Sequence, residues 1–226
     1  MKKFNIGWGL TNLCNMNCKF CYSKETREKS KDISIVDWKK FVDENHEQID
    51  GENAILDDFF HFIEYVRENY PSITQSVTTN GYISKRMLEN PKFMDIFMKS
   101  MDEVDISLDF VNKDRHCDFR GQPKAYDWAI QTLELLQNTN KKVTIVFVGF
   151  EDTMKKENID GLFEIAKKYN ALLRLNIYRP VSEKEEINKR FMLSYKTLND
   201  TLKYINEKYK IKGLSDALIG NLYTND

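Results

Sequence analysis

Cys14-Asn-Met-Asn-Cys18-Lys-Phe-Cys21 is entered directly from Phe4-Asn-Ile-Gly-Trp-Gly-Leu-Thr11, with only Asn12 and Leu13 between them. The earlier run is apolar enough to read as a strand, and the polar, cysteine-bearing stretch after it reads as the loop at that strand's carboxyl end. Working outward, four further β-branched or apolar runs read as strands: Ile73 to Thr79, Glu103 to Asp109, Lys142 to Gly149 and Leu172 to Tyr178. Helical patterns fall between them. Trp38, Phe41 and Val42 mark one helix, capped by Ser34, and Phe59, Phe62, Ile63 and Val66 mark a second, ended by Pro71. Others are marked by Phe93, Ile96 and Phe97 after Pro91, by Trp128, Leu133 and Leu136 after Pro123, by Leu162, Ile165 and Ala166, and by Leu198, Leu202 and Ile205.

Strands alternating with helices call for an α/β fold of parallel strands, either an open doubly wound sheet or a full or partial barrel. One place breaks the alternation. Between the first helix and Gly51 stand only Glu47, Gln48, Ile49 and Asp50, too polar and too short for a buried parallel strand. The second strand is therefore expected to be short or missing. The charged stretch Ser182 to Arg190 reads as a solvated loop or helix edge, and no repeat or low-complexity tract interrupts the chain.

The 226 residues fit a single domain, and no Pro-, Gly- or Ser-rich stretch divides it. Residues 1–226 are expected to form one unit. With 41% hydrophobic and 31% charged residues, the chain is neither disordered by composition nor membrane-like. Its net charge of −1, from interspersed acids and bases, gives no reason to expect a nucleic acid or an anionic membrane as partner. The longest apolar run, Val143 to Phe150, falls far short of the roughly 20 residues of a transmembrane helix. A signal peptide is not expected, since Asn5, Thr11 and Asn12 interrupt the N-terminal stretch, and the cytoplasm is the expected compartment.

Four cysteines, three of them within eight residues, suit metal binding better than a disulfide framework. Spacings of three and two let one loop wrap its thiolates around a compact cluster. Three thiolates can serve three irons of a cubane and leave the fourth open for chemistry. A structural zinc site is the other reading, and its fourth ligand would be Cys117 or one of His46, His61 and His116. In the iron–sulfur reading Cys117 is a lone buried thiol.

The spacing, with an aromatic residue before the last cysteine, resembles the signature of radical S-adenosylmethionine (SAM) enzymes. That resemblance covers nearly the whole chain and implies a partial (β/α)6 TIM-like barrel with SAM lying across the strand ends. It makes Cys14, Cys18 and Cys21 the expected ligands of a [4Fe–4S] cluster. Gly51-Glu52 is similar to the end of a Gly-Gly-Glu-like motif that holds the SAM amino group, with Asp50 standing where a glycine or small residue is expected. Thr78-Thr79-Asn80-Gly81 resembles a Thr-Asn-Gly segment of peptide-modifying members, and by local physics alone Asn80-Gly81 is a turn. Ser107-Leu-Asp109 is similar to a Ser-Leu-Asp segment facing SAM, and residues at alternate positions of a strand share a face. His116-Cys-Asp118-Phe-Arg120-Gly121 resembles a His-Asp-x-x-Arg-type loop displaced by Cys117, in which the Arg120 guanidinium suits the SAM carboxylate. Val148-Gly149 and Leu175-Asn176-Ile177-Tyr178 stand where backbone usually contacts adenine, and Arg174 and Arg179 flank the latter strand.

The resemblance implies reductive cleavage of SAM to a 5′-deoxyadenosyl radical that abstracts hydrogen, with the electron coming from a flavodoxin- or ferredoxin-like donor. Its motifs point to the catalytic core of peptide- or protein-modifying members of the SPASM/twitch type. Those members often carry a C-terminal region with auxiliary clusters, and no cysteine follows Gly213 here. Two alternatives stand beside it: a single-cluster enzyme acting on a small molecule, and a non-catalytic iron–sulfur module unable to position SAM.

Overall fold

The computed structural model describes residues 11, 13–21, 34–44, 49–50, 54–178 and 185–210. The expected strand Phe4 to Thr11 lies outside them apart from Thr11, which is not in a strand, and so do Gly51, Glu52 and Arg179. Among the described residues five strands form one parallel sheet in sequential order: β1 (Ile49–Asp50), β2 (Gln75–Thr79), β3 (Glu103–Ser107), β4 (Lys142–Gly149) and β5 (Leu172–Ile177). The fold is α/β, and among the described residues the sheet does not close into a barrel.

The expected weak second strand is β1. Its two residues pair only with Gln75 and Ser76, so the rest of β2 gains no ladder bond from it. A run as polar as Glu47 to Asp50 has too little apolar surface to extend that strand.

Alternation in the other strands sends one face to the helices. Val77, Val104, Ile106, Val143, Ile145, Phe147 and Leu175 share one core with apolar residues of α2 (Asp57–Asn69), α4 (Pro91–Ser100), α6 (Ala125–Leu136), α7 (Lys156–Lys168) and α9 (Tyr195–Tyr209). Phe60 and Phe93 stack at 4.1 Å between ring centroids where α2 meets α4. Burial of each such side chain contributes about 1.5–3 kcal/mol.

Helix ends follow the sequence signals. Ser34 accepts from the Asp37 N–H at the start of α1 (Ile35–Glu44), Asn90 accepts from Lys92 before Pro91, and Ser194 accepts from Thr197. Three helices were not marked by periodicity. The Asn80-Gly81 turn leads straight into α3 (Tyr82–Glu89), with Gly81 left-handed at φ 92° and packed so tightly on α6 that a Cβ would lie 2.4 Å from the Ala129 nitrogen. The stretch expected as a loop around His116 is instead α5 (Lys113–Arg120), capped by Asn112 through the Arg115 N–H and stopped by Gly121. It carries no continuous apolar stripe, burying only His116, Phe119 and Arg120. The charged stretch after Ser182 forms α8 (Glu185–Phe191), anchored by the buried Phe191.

Candidate functional site

The strand residues facing away from the helices are mostly polar. Asp105 and Ser107 of β3, Thr144 of β4, and Arg174 and Asn176 of β5 alternate with the core residues, and Asp105 meets Arg174 across the intervening strand at 2.5 Å. Such a face suits a polar ligand rather than a packed layer. Ser107 is on it, Asp109 follows two residues beyond the strand's end, and Asn176 is exposed there. Thr79 is not. It shares the helix-packed face with Val77, only 1% exposed, and its hydroxyl accepts from the Gly81 N–H, so it shapes the turn after β2.

Asp109, just past the end of β3, is fully buried. One carboxylate oxygen accepts from the Val148 N–H at 2.9 Å, and the other accepts from Nε and Nη2 of Arg120 at 2.7 and 2.6 Å. Two donors from one planar guanidinium on one carboxylate form a strong charge-assisted pair. Arg120 is itself 8% exposed and lies over the Phe20 ring. The backbone N–H of Asp109 donates to Nδ1 of His116, and the amide of Asn158 donates to the Asp109 carbonyl. Burial lowers the His116 pKa to about 4, with Asp109 pulling upward and Arg120 downward, so the ring is neutral near pH 7. Its Nδ1 accepts, which puts the proton on Nε2, a buried atom with no partner among the described residues.

The cysteine loop rests on the end of α5. The N–H groups of Asn17 and Lys19 donate to the carbonyls of Arg120 and Phe119, both at 3.2 Å, and Lys19 pairs with Asp118 at 2.5 Å. Phe20 stacks on Phe119 with centroids 4.6 Å apart. At Gly121, φ is 61° and a Cβ would stand 2.5 Å from the Asn17 carbonyl oxygen, so only glycine admits the loop this close. On its other side the loop meets the end of β2. Asn80 Nδ2 donates to Asn15 Oδ1 at 2.9 Å and lies 4.0 Å from Cys14 Sγ, while Gln122 Nε2 donates to the Asn15 carbonyl. The loop therefore sits at the carboxyl ends of β2 and β3, where parallel α/β folds build their sites.

Within the loop, Cys14 is exposed, Cys21 half-buried and Cys18 buried beside Met16, Ala125 and Trp128. Burial pushes the Cys18 thiol up to about 11, the Arg120 guanidinium opposes that shift, and Cys21, Asp109 and Cys14 add to it. Among the described residues no three Cys, His, Asp or Glu side chains close on a point as ligands of a single ion would. An iron–sulfur cubane is a wider body than one ion and takes thiolates at its corners. Three soft thiols on one loop, with Asn15 Nδ2 buried beside them and unpartnered among the described residues, fit such a cluster. Cys117 is turned aside, its thiol donating to the Pro123 carbonyl.

Gln122 was not read from the sequence as part of the site, and Asn15 and Gly121, although within the quoted stretches, were given no role there. Gly121 alone carried a signal, since a glycine after a basic residue is a helix stop. Asn15 and Gln122 act through contacts between distant segments, which no spacing announces.

Residues 8–168 match the Radical SAM superfamily. The chain is 28% identical over 189 residues to mycofactocin maturase MftC of Mycolicibacterium smegmatis (strain ATCC 700084 / mc(2)155), covering 77% of this chain and 44% of that protein. It is also 28% identical over 152 residues to the antilisterial bacteriocin subtilosin biosynthesis protein AlbA of Bacillus subtilis (strain 168), covering 64% of this chain and 33% of that one. The chain thus spans less than half the length of these relatives. In fold it is similar to the crystal structure of methylornithine synthase (PylB), with a TM-score of 0.59 at 13% identity over 91% of this chain and 64% of that one. No helix among the described residues is long and apolar enough to cross a membrane. Match and fold agree with the cysteine loop at the strand ends: the chain belongs to the Radical SAM superfamily, whose enzymes use a [4Fe–4S] cluster and SAM.

Proposed function

We propose that this chain is a radical SAM core domain that generates a 5′-deoxyadenosyl radical and directs it at a peptide or protein. Cys14, Cys18 and Cys21 would hold the cluster, and Asn80, beside Cys14, orders the loop from the strand side. When bound, the cluster and SAM together supply reductive carbon–sulfur cleavage and the carbon radical. Ser107 and Asn176, on the polar face, would hold SAM by hydrogen bonds, and Gly51-Glu52 would take its amino group. The Arg120 guanidinium, paired with Asp109 at the loop's base, would lend its positive charge to the SAM carboxylate. Around it Phe20, Phe119 and the buried Cys18 exclude water, which protects a radical from quenching.

The observation that carries this reading is the docking of the cysteine loop on both Asn80 and the end of α5, at the carboxyl ends of the strands. A peptide substrate is supported by the relatives named for mycofactocin maturation and bacteriocin biosynthesis. The electron would come from a flavodoxin- or ferredoxin-like donor in the cytoplasm. The test is anaerobic reconstitution with iron and sulfide, followed by chemical reduction in the presence of SAM. The expected result is release of 5′-deoxyadenosine and methionine. A brown protein that releases neither would be a non-catalytic iron–sulfur module instead.

A further inference from the structure

A cleft of about 220 Å³ opens beside the cysteine loop, between α5, the segment after β4, and α8. Its floor is aromatic. Phe110, Phe119, Phe150 and Phe191 meet there edge to face or stacked, with centroids 5.0 to 5.8 Å apart among the pairs Phe119–Phe150, Phe150–Phe191 and Phe119–Phe191. Its volume lies below the roughly 300 Å³ at which pockets begin to take whole small ligands. One side chain of a longer molecule fits that size better than a free metabolite does.

The rim is charged, and its charges are unequally satisfied. Asp118 pairs with Lys19, Asp152 pairs with Arg115 and Lys155, and Glu151 is turned to the start of α9, accepting from the Ser194 N–H and the Thr197 hydroxyl. Each rim carboxylate therefore already has its donors. Among the described residues Arg190 has no acceptor: it is exposed, lies over the Phe191 ring at 5.6 Å, and meets no carboxylate there. A ligand that lays an aromatic ring on the floor meets at the edge a cation left unpaired among the described residues.

We infer that this cleft docks one aromatic side chain of the substrate peptide, with an adjacent carboxylate of that peptide held by Arg190. The carboxylate can belong to a neighbouring Asp or Glu or to the peptide's own C-terminus. The inference rests on the reading of this chain as a peptide-directed radical SAM core. It adds that the peptide is gripped next to the radical-forming loop, since Lys19 of that loop forms part of the rim and Phe20 stacks on the floor residue Phe119.

The test uses the full chain, reconstituted anaerobically and loaded with SAM. The probes are acetylated glycine hexapeptides bearing one 4-fluorophenylalanine, followed by Asp, Asn or Lys, or placed last with a free carboxylate, and binding is titrated by fluorine NMR. The Asp and free-carboxylate peptides are expected to bind about tenfold more tightly than the Asn peptide, the difference a charge-assisted contact makes. Comparison of those two probes distinguishes an internal acid from a terminal carboxylate. In Arg190→Glu, a solvent-exposed change, the order should invert in favour of the Lys peptide. Equal binding of all probes, or no binding, overturns the inference. It is also overturned if Arg190→Glu weakens SAM binding as much as peptide binding, because the cleft then belongs to SAM. Release of 5′-deoxyadenosine is scored separately: its failure with selective peptide binding intact removes the catalytic reading and leaves the docking site.

Discussion

Replacing Arg120 with methionine keeps most of the side-chain stem and removes the guanidinium from a fully buried Asp109. The carboxylate would then retain one hydrogen bond, from the Val148 N–H, in place of three. Removing one partner of a buried ion pair costs about 3–5 kcal/mol, because the remaining charge is left uncompensated. Against a total stability of roughly 5–15 kcal/mol that is a large fraction. For a domain of this size each kcal/mol moves the midpoint by about 2–4 °C, so the loss should be roughly 6–20 °C. The assay is thermal and urea unfolding of the cluster-free full chain, in a cycle of Arg120→Met, Asp109→Asn and the double variant. The double variant buries no unpaired charge, so its cost should fall at least about 2 kcal/mol short of the sum of the singles. Additive costs, or a loss below about 1 kcal/mol for Arg120→Met, would mean that water reaches the pair, and the account of the site's anchor would fail.

His116 gives a pH dependence whose sign is fixed by burial. Its folded pKa of about 4 lies below the unfolded 6.5, so the unfolded chain binds the extra proton, and the stability present above pH 6.5 is lost as pH falls to about 4. The loss is on the order of 3 kcal/mol, and urea midpoints at pH 7.5 and 4.5 should show a smaller drop in His116→Gln than in the unaltered chain. Cys14→Ala, Cys18→Ala and Cys21→Ala should each abolish iron binding after reconstitution, whereas Cys117→Ala, at a thiol bonded to the Pro123 carbonyl, should retain it. Equal iron loss in Cys117→Ala would refute the ligand assignment. Gly121→Ala should cost about 1–2 kcal/mol for its left-handed backbone. Because the new Cβ strikes the Asn17 carbonyl, it should also lower iron content, a joint effect that strain confined to α5 would not produce. Ser194→Ala should cost about 1 kcal/mol in thermal unfolding by removing the cap of α9.

Legibility in the sequence followed the range of the information. The runs Lys142 to Gly149 and Glu103 to Asp109 announced strands because alternation at a period of two is local, and the structure places β4 at Lys142–Gly149 and β3 at Glu103–Ser107. The weakness of β1 was equally local, being a shortage of apolar residues. Helix α5 escaped because its buried residues, His116, Phe119 and Arg120, serve a polar site instead of forming an apolar stripe. Thr79 was placed with the site by motif, yet one position of alternation puts it on the opposite face.

The sequence by itself determined the α/β alternation and the one loop able to supply three thiolates, because each is written in spacings of a few residues along a continuous backbone. Only the tertiary structure decided that Arg120 closes on Asp109, that Asn80 and Gln122 hold Asn15, and that Arg190 is left at the mouth of an aromatic cleft. Those pairings join segments 11 to 107 residues apart. Spacing tells which face a side chain occupies, whereas its partner depends on where the next helix lands across the sheet, and that is settled by packing of the whole core.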